Sequence, residues 1–222
     1  MENIYQNSMG SLMSKVFMKM SLGLIITACT SALLFSSGIY YTIMTTMPMA
    51  SLIFLFIQIG LTVSMSRSLT KDSSASSMHV MFIIYSVLMG FTMAGLGYAY
   101  SLGQISVAFL VSAIYFICLA IIGKTTKLDL SKMGTLCVIG LLAMIVSQLF
   151  MTLFGFSADT RLWSIVGLLL FTGITAWDIQ KMNRFGYGYD EEKLSTYFAL
   201  ELYLDFINIF IYILQLLGNH KD

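Results

Sequence analysis

Long runs of apolar residues, separated by short polar connections, fill almost the whole chain. A helix that crosses the hydrocarbon core of a bilayer needs about 20 residues. Stretches of that length lie at about 20–41, 47–66, 79–100, 104–123, 133–154, 162–181 and 195–217. The pattern predicts an all-α membrane protein with seven transmembrane helices, in which residues 1–222 form a single domain.

The last apolar stretch differs from the others, because polar residues recur along it at helical spacing. At steps of three or four residues it carries Tyr197, Glu201, Asp205, Asn208, Tyr212 and Gln215. On a helix of 3.6 residues per turn these residues form one stripe from end to end. A polar stripe is unfavourable against lipid, so we expect neighbouring helices to bury this helix, with the stripe facing polar partners or water. The alternative is a set of interhelical hydrogen bonds with no role in transport.

The third stretch carries a second stripe, made of small residues. Ser86, Gly90, Ala94 and Gly97 follow one another at steps of four, four and three. Small residues let helix backbones approach closely in a bilayer, where burial of apolar area provides no drive for helix association. This stripe predicts a packing face rather than a functional site.

Composition places the chain in a membrane. Hydrophobic residues make up 58% of the 222 residues and charged residues 10%, with a mean hydropathy of +0.84. A soluble domain has about 45 to 50% apolar and about 25% charged residues. The net charge of +1 is spread over short connections, so we expect contact with membrane lipid and no nucleic-acid binding.

The basic residues predict an orientation. Two of the twelve, Arg161 and Lys221, lie on one side of the predicted membrane. The other side carries Lys15, Lys19, Arg67, Lys71, Lys124, Lys127, Lys132, Lys181, Arg184 and Lys193. This bias places the N-terminus in the cytoplasm and the C-terminus outside. The first stretch is too long for a signal-peptide core, so we interpret it as a retained anchor. No organelle-targeting signal is visible in the sequence, so we expect a bacterial inner membrane.

The cysteines and histidines give no sign of a metal or haem motif. Cys29, Cys118 and Cys137 fall inside separate apolar stretches without pairing spacing, and His79 and His220 lie at predicted membrane edges. We expect small apolar helix positions for the cysteines and no tightly bound cofactor.

Two acidic residues lie inside apolar stretches, where charge is costly. An ionised side chain in hydrocarbon costs roughly 3 kcal/mol or more, and such residues usually line a cavity or an ion path. At 1.5 Å per residue, Asp178 lies about 6 Å and Asp205 about 15 Å from the cytoplasmic edge, with Glu201 between them. Arg67, at the end of the second stretch, has the reach to meet Asp178. Its alternative role is an ordinary positively charged anchor.

Two carboxylates in a poorly solvated cavity cannot both ionise easily, so we expect one proton to be shared and protonation to act as a switch. A divalent cation such as calcium takes six to eight oxygen ligands. Asp178, Glu201, Asp205 and Asn208 provide only part of such a set. These residues therefore predict weak, transient binding of a cation, which conduction requires because a transported ion must also leave.

Two segments, Thr172–Lys181 and Ala199–Phe210, resemble the signature stretches of the Bax inhibitor (TMBIM) family, closest to its bacterial members. A third segment, Lys124–Ser131, is similar to the family's cytoplasmic loop. The resemblance implies a seven-helix fold whose last helix is wrapped by the other six. It also implies a pH-sensitive calcium leak.

In that resemblance, the family's paired aspartates correspond to Asp178 and Asp205, and its arginine latch from the second helix corresponds to Arg67. Calcium is then the transported ion. The chain departs from the family pattern at Glu201, where members commonly carry a neutral residue. We expect this extra carboxylate, one turn from Asp205, to change the pH response or the ion affinity.

Three other classes of protein share part of this pattern. Intramembrane aspartyl proteases carry a Gly-x-Gly-Asp motif, whereas Asp178 follows Ala176 and Trp177. A retinal protein needs a lysine inside the last helix, which this stretch lacks. The third class is a non-conducting regulator that acts through protein partners, whose identity the sequence does not give. No enzymatic activity is expected.

Overall fold

The computed structural model describes residues 2–70, 74–155, 159–184 and 190–218, with backbone only for residues 2–9 and 152. Within these ranges the chain is helical, without a β-strand. The helices are α1 (Glu2–Ser36), α2 (Ile39–Thr46), α3 (Ala50–Ser68), α4 (Ala75–Ala94), α5 (Leu96–Ala99), α6 (Leu102–Thr125), α7 (Ser131–Leu153), α8 (Thr160–Arg184) and α9 (Glu191–Leu217).

Seven segments of this structure are long and apolar enough to cross a bilayer: α1, α3, α4 with α5, α6, α7, α8 and α9. The predicted fold class, an integral multi-pass membrane protein, is therefore confirmed. The first span ends earlier than expected, because α1 stops at Ser36 and Gly38 adopts a left-handed backbone with φ of 71°. Glycine accepts this conformation at little cost, so the chain breaks there and continues as the short helix α2.

Serine and aspartate side chains fix the beginnings of four helices. The hydroxyl of Ser74 accepts a hydrogen bond from the Ser77 amide, and Ser101 forms a capping box with Gln104. Asp159 and Asp190 accept hydrogen bonds from first-turn amides of α8 and α9. These side chains satisfy amides that have no partner inside the helix, which is why the helices begin at these points.

The chain divides into two compact units. Unit 1 comprises Met1–Ala99 with Gly186–Tyr203, and unit 2 comprises Tyr100–Phe185 with Leu204–Asp222. The first half of α9 thus belongs to unit 1 and its second half to unit 2. The expectations of a single domain and of a last helix wrapped by six others stay predictions.

In unit 1, α1 and α4 pack in parallel through small residues. A Cβ added to Gly90 would lie 2.6 Å from the Thr30 side chain, and one added to Gly97 would lie 2.7 Å from Phe35. The hydroxyl of Thr27 donates a hydrogen bond to the Ser86 carbonyl at 3.0 Å. The predicted packing stripe on the third span is confirmed, because its small residues provide this close approach.

In unit 2, α8 packs against α6 and α7. A Cβ at Gly123 of α6 would lie 2.5 Å from the Ala176 carbonyl oxygen, and one at Gly173 of α8 would lie 2.5 Å from the Cys137 sulfur of α7. Gly134 of α7 leaves room for the Trp177 ring in the same way. These contacts hold the end of α8 that carries Asp178.

Candidate functional site

The two acidic residues predicted for the site are both buried. Asp178 of α8 is 6% exposed and Asp205 of α9 is 3% exposed. Each lies inside a helix that is long and apolar enough to span a bilayer. Carboxyl groups this far from water are costly unless the site compensates them, which marks both residues as candidates for function.

Within unit 2, α8 and the second half of α9 pack antiparallel. Ser164 donates a hydrogen bond to the side-chain oxygen of Gln215 at 2.7 Å, Gly167 lies under the ring of Tyr212, and the rings of Phe171 and Tyr212 are 6.0 Å apart. These contacts fix the register of the two helices to within about one turn.

The same register extends to the acidic pair. Asp178 follows Phe171 by seven residues, and Asp205 precedes Tyr212 by seven. Seven residues are almost two full turns, so a step of seven returns to the same helix face with a drift of only about 20°. Asp178 and Asp205 therefore lie on the facing sides of α8 and α9, within about one helical turn of each other.

The sequence placed Asp205 about 9 Å deeper than Asp178, counting each residue from the end of its own predicted helix. The contacts between Ser164 and Gln215 and between Phe171 and Tyr212 fix the register to about one turn, so this difference in depth stays a prediction.

Asp178 has a cationic neighbour that sequence reasoning missed. The Lys181 ammonium lies 3.1 Å from the Asp178 carboxylate, in the same helix and one turn later. It also lies 5.1 Å from the centre of the Trp177 ring. The spacing of three residues between an acid and a base was the available signal. Lysine therefore provides charge compensation for Asp178 from within α8.

The polar stripe of α9 coincides with the less buried face of this helix. Asp205 is buried, and the other stripe residues are partly exposed: Tyr197, Glu201, Asn208, Tyr212 and Gln215. The side-chain nitrogen of Asn208 donates to the Leu204 carbonyl at 2.8 Å. A face that keeps its polar residues partly accessible inside an otherwise buried helix is suited to contact with water.

Gln180 holds the connection between α6 and α7. Its amide nitrogen donates to the Leu128 carbonyl at 2.7 Å, and its amide oxygen accepts from the Leu130 amide at 2.9 Å. Arg184 donates to the Asp129 carboxylate at 2.8 Å. Two of the segments that carry the family resemblance therefore contact each other, which sequence order alone did not indicate.

Asp129 lies in this connection, outside the membrane-spanning helices. Hydrogen bonds from Ser131 and Arg184 hold the pKa of its carboxyl at about 2, below the ordinary value of 3.8. The connection thus carries an ionised carboxylate at any physiological pH.

Arg67 lies in the last turn of α3, in unit 1, and it is exposed. Asp178 belongs to unit 2. The arginine latch therefore stays a prediction.

A metal ion at this site would have few protein ligands. Within the described ranges, no three His, Cys, Asp or Glu side chains come together as a metal-binding group. Thr175 lies one turn before Asp178 on the same face and is fully buried, and its hydroxyl has no hydrogen-bond partner in the described part of the chain. Two carboxylates and neutral oxygens such as this hydroxyl suit a weakly held calcium ion.

Comparison with known proteins gives a match over nearly the whole chain. The family model described as "Inhibitor of apoptosis-promoting Bax1" matches residues 9–222. The matched region contains all the residues predicted for the site.

Individual relatives agree with this match. An uncharacterized protein of Borreliella burgdorferi is 33% identical over 215 residues, covering 95% of this chain and 92% of that protein. The protein named "Inner membrane protein YbhL" of Escherichia coli K12 is 30% identical over 217 residues, covering 94% and 92%. The uncharacterized protein RP147 of Rickettsia prowazekii is 29% identical over 214 residues, covering 95% and 90%.

Proposed function

This chain belongs to the Bax inhibitor family, and from that premise we propose that it is a pH-sensitive calcium leak channel of a bacterial inner membrane. One observation carries the proposal: Asp178 and Asp205 are each less than a tenth exposed inside apolar helices whose contacting faces they share. Buried acids in such a position usually mark an ion or proton path.

The proton switch is centred on Asp205. The Lys181 ammonium at 3.1 Å balances the charge of Asp178. Ionisation of Asp205 then adds negative charge to the site, and this charge attracts a cation. Protonation of Asp205 removes that attraction. The flux of calcium consequently depends on pH.

Calcium binds this site weakly in the proposed mechanism. The Asp178 and Asp205 carboxylates, with Asn208, Glu201 or the Thr175 hydroxyl as additional oxygen donors, fall short of the six to eight ligands that calcium prefers. Water completes the coordination. A weakly held ion can leave again, and a leak requires this.

The proposed location and orientation combine two supports. The E. coli relative is named an inner membrane protein. The basic residues favour a cytoplasmic N-terminus and an external C-terminus. In this orientation the end of α8 that carries Asp178 and Lys181 faces the cytoplasm.

The first experiment measures calcium flux. Purified protein is reconstituted into liposomes that contain a calcium-sensitive dye, and flux is recorded over a range of pH. The account predicts flux that varies with pH, and a reduced pH dependence for Asp178→Asn. Asp159→Asn is the matched control, because Asp159 is an exposed cap of α8 and its loss leaves the site intact. Protein that gives no more flux than empty liposomes contradicts the leak.

The roles of Arg67 and Glu201 are tested in the same assay. Arg67→Glu is expected to change the fraction of closed channels, and an unchanged flux would leave Arg67 as an ordinary anchor. Glu201→Gln is expected to move the midpoint of the pH response. An unmoved midpoint would exclude Glu201 from the sensor.

A second candidate function is a non-conducting regulator that acts through protein partners. The family description, which names the inhibition of another protein, favours it. Folded protein without flux, together with retained activity in a cellular assay of the regulator, would support this alternative. The proposed leak assigns no catalytic step to the chain.

A further inference from the structure

A cavity of about 370 Å³ lies in unit 2, at the end where α8 begins and α9 ends. α7 contributes Gln148 to its wall, α8 contributes Thr160 and Trp163, and α9 contributes Asn208, Tyr212 and Gln215. The three α9 residues form the second half of the polar stripe. None of these lining residues carries a charge.

Several polar atoms in the wall have no protein partner among the described residues. In the part of the chain that the structure describes, no residue bonds to the amide oxygen of Asn208, the Tyr212 hydroxyl or the Trp163 indole nitrogen. These atoms are an acceptor, a hydroxyl and a donor. Hydrocarbon cannot satisfy them and water can, so their placement around one cavity indicates that it is filled with water.

The volume fits a hydrated ion. At about 30 Å³ for each water molecule, 370 Å³ holds about twelve waters. A calcium ion with six to eight water ligands needs roughly 250 Å³ on the same measure. Neutral amides and hydroxyls can bond to the water shell of the ion without replacing it. The cavity is therefore suited to an ion that keeps its hydration shell.

The cavity also leads towards the acidic pair. Asn208 follows Asp205 by three residues on the same stripe, so the wall begins about 4.5 Å along α9 from the buried carboxylate. We infer that this cavity is a water-filled antechamber that admits a hydrated divalent cation from the side on which α9 ends. The nature of the ion depends on the proposed function, whereas the presence of water does not.

Accessibility to a water-soluble thiol reagent tests this inference. A charged, membrane-impermeant methanethiosulfonate is applied to Gln148→Cys and Leu149→Cys proteins in membranes, and mass spectrometry locates the modified residues. Leu149 is the matched control, because it is the next residue of α7, is 60% exposed and does not line the cavity. Thiolate is the reactive form and needs water, so Gln148→Cys is expected to react at least roughly tenfold faster. Added calcium should slow this reaction.

The outcomes separate the antechamber from the leak. Fast reaction at Gln148→Cys from the α9-end side, slowed by calcium, supports the antechamber even when the flux assay shows no leak. Equal rates at the two positions, or reaction only with a lipid-soluble pyrene maleimide, would show that lipid fills the cavity and overturn the inference. Should Gln148→Cys fail to fold, Asn208→Cys on the opposite wall is compared with the same control.

Discussion

The two ends of α9 hold their polar residues in opposite ways. In unit 1, the Lys19 side chain is 10% exposed, and its ammonium contacts Glu192, Ser195 and Thr196 of the first turns of α9 at 2.7 to 2.9 Å. In unit 2, polar residues of the last turns line a cavity and leave atoms without a protein partner in the described ranges. The first turns of α9 are held by an ion pair and hydrogen bonds, and the last turns are open to water.

The comparison shows that a polar residue in an apolar helix has two different uses. Where its polar atoms are buried and satisfied, as for the Tyr203 hydroxyl at 2.6 Å from Thr27, the residue contributes stability. Where these atoms are accessible and unsatisfied, as for Tyr212, the residue provides a surface for water. Sequence spacing alone makes the two kinds of residue look alike.

The largest expected effect on stability is in the first turns of α9. Lys19→Met removes the cation from Glu192, Ser195 and Thr196, and we expect it to lower the free energy of unfolding by about 2 to 3 kcal/mol. Lys15→Met is the matched control, because the Lys15 side chain is 34% exposed and contacts the same Glu192 carboxylate, so its loss should cost clearly less than the loss of Lys19. Thermal unfolding in detergent measures both, and equal losses would contradict the distinction.

A smaller effect is expected from the two tyrosines of α9. Tyr203→Phe removes a fully buried hydroxyl that bonds to Thr27, at an expected cost of about 1 kcal/mol. Tyr212→Phe removes a hydroxyl that faces water, so the expected cost is below about 0.5 kcal/mol. The same unfolding assay compares the pair. A costlier Tyr212→Phe would mean that the cavity end is as tightly packed as the other end.

The smallest expected effect on stability comes from the ion pair of Asp129, which lies outside α9. Because the folded pKa of Asp129 is about 2 and its ordinary value is 3.8, its contribution to stability is complete above about pH 4 and is lost as the pH falls towards 2. Asp129→Asn should remove this part of the acid dependence and cause a small loss of stability near neutral pH, where the contribution is complete, because both partners of the ion pair are exposed. Unfolding measured between about pH 5 and about pH 2 tests this prediction. An identical acid dependence in the variant would exclude a contribution of the ion pair to stability.

Much of the fold followed from the apolar runs, because a bilayer imposes helices of one length on any chain that crosses it. The packing stripe of α4 was also predictable, since close approach requires small residues at helical spacing. The break at Gly38 was not, because the apolar run continues through it.

The acidic residues of the site were visible in the sequence because charge is rare in apolar stretches. Their relative level was not, since it depends on which side chains of α8 and α9 meet. The hydrogen bonds of Gln180 to the α6–α7 connection join segments about 50 residues apart. The cavity is formed only when residues of three helices come together. Tertiary packing decides such features, and the spacing along one helix does not report it.

The most direct test of the account is the pH dependence of calcium flux through Asp205→Asn protein in liposomes. The side chain keeps its shape and loses its titratable proton, so the account predicts altered flux with a flattened response to pH. Asp190→Asn, which removes an exposed cap of the same helix, should keep the response of the unmutated protein. Folded Asp205→Asn protein whose flux follows pH as the unmutated protein does would contradict the central claim.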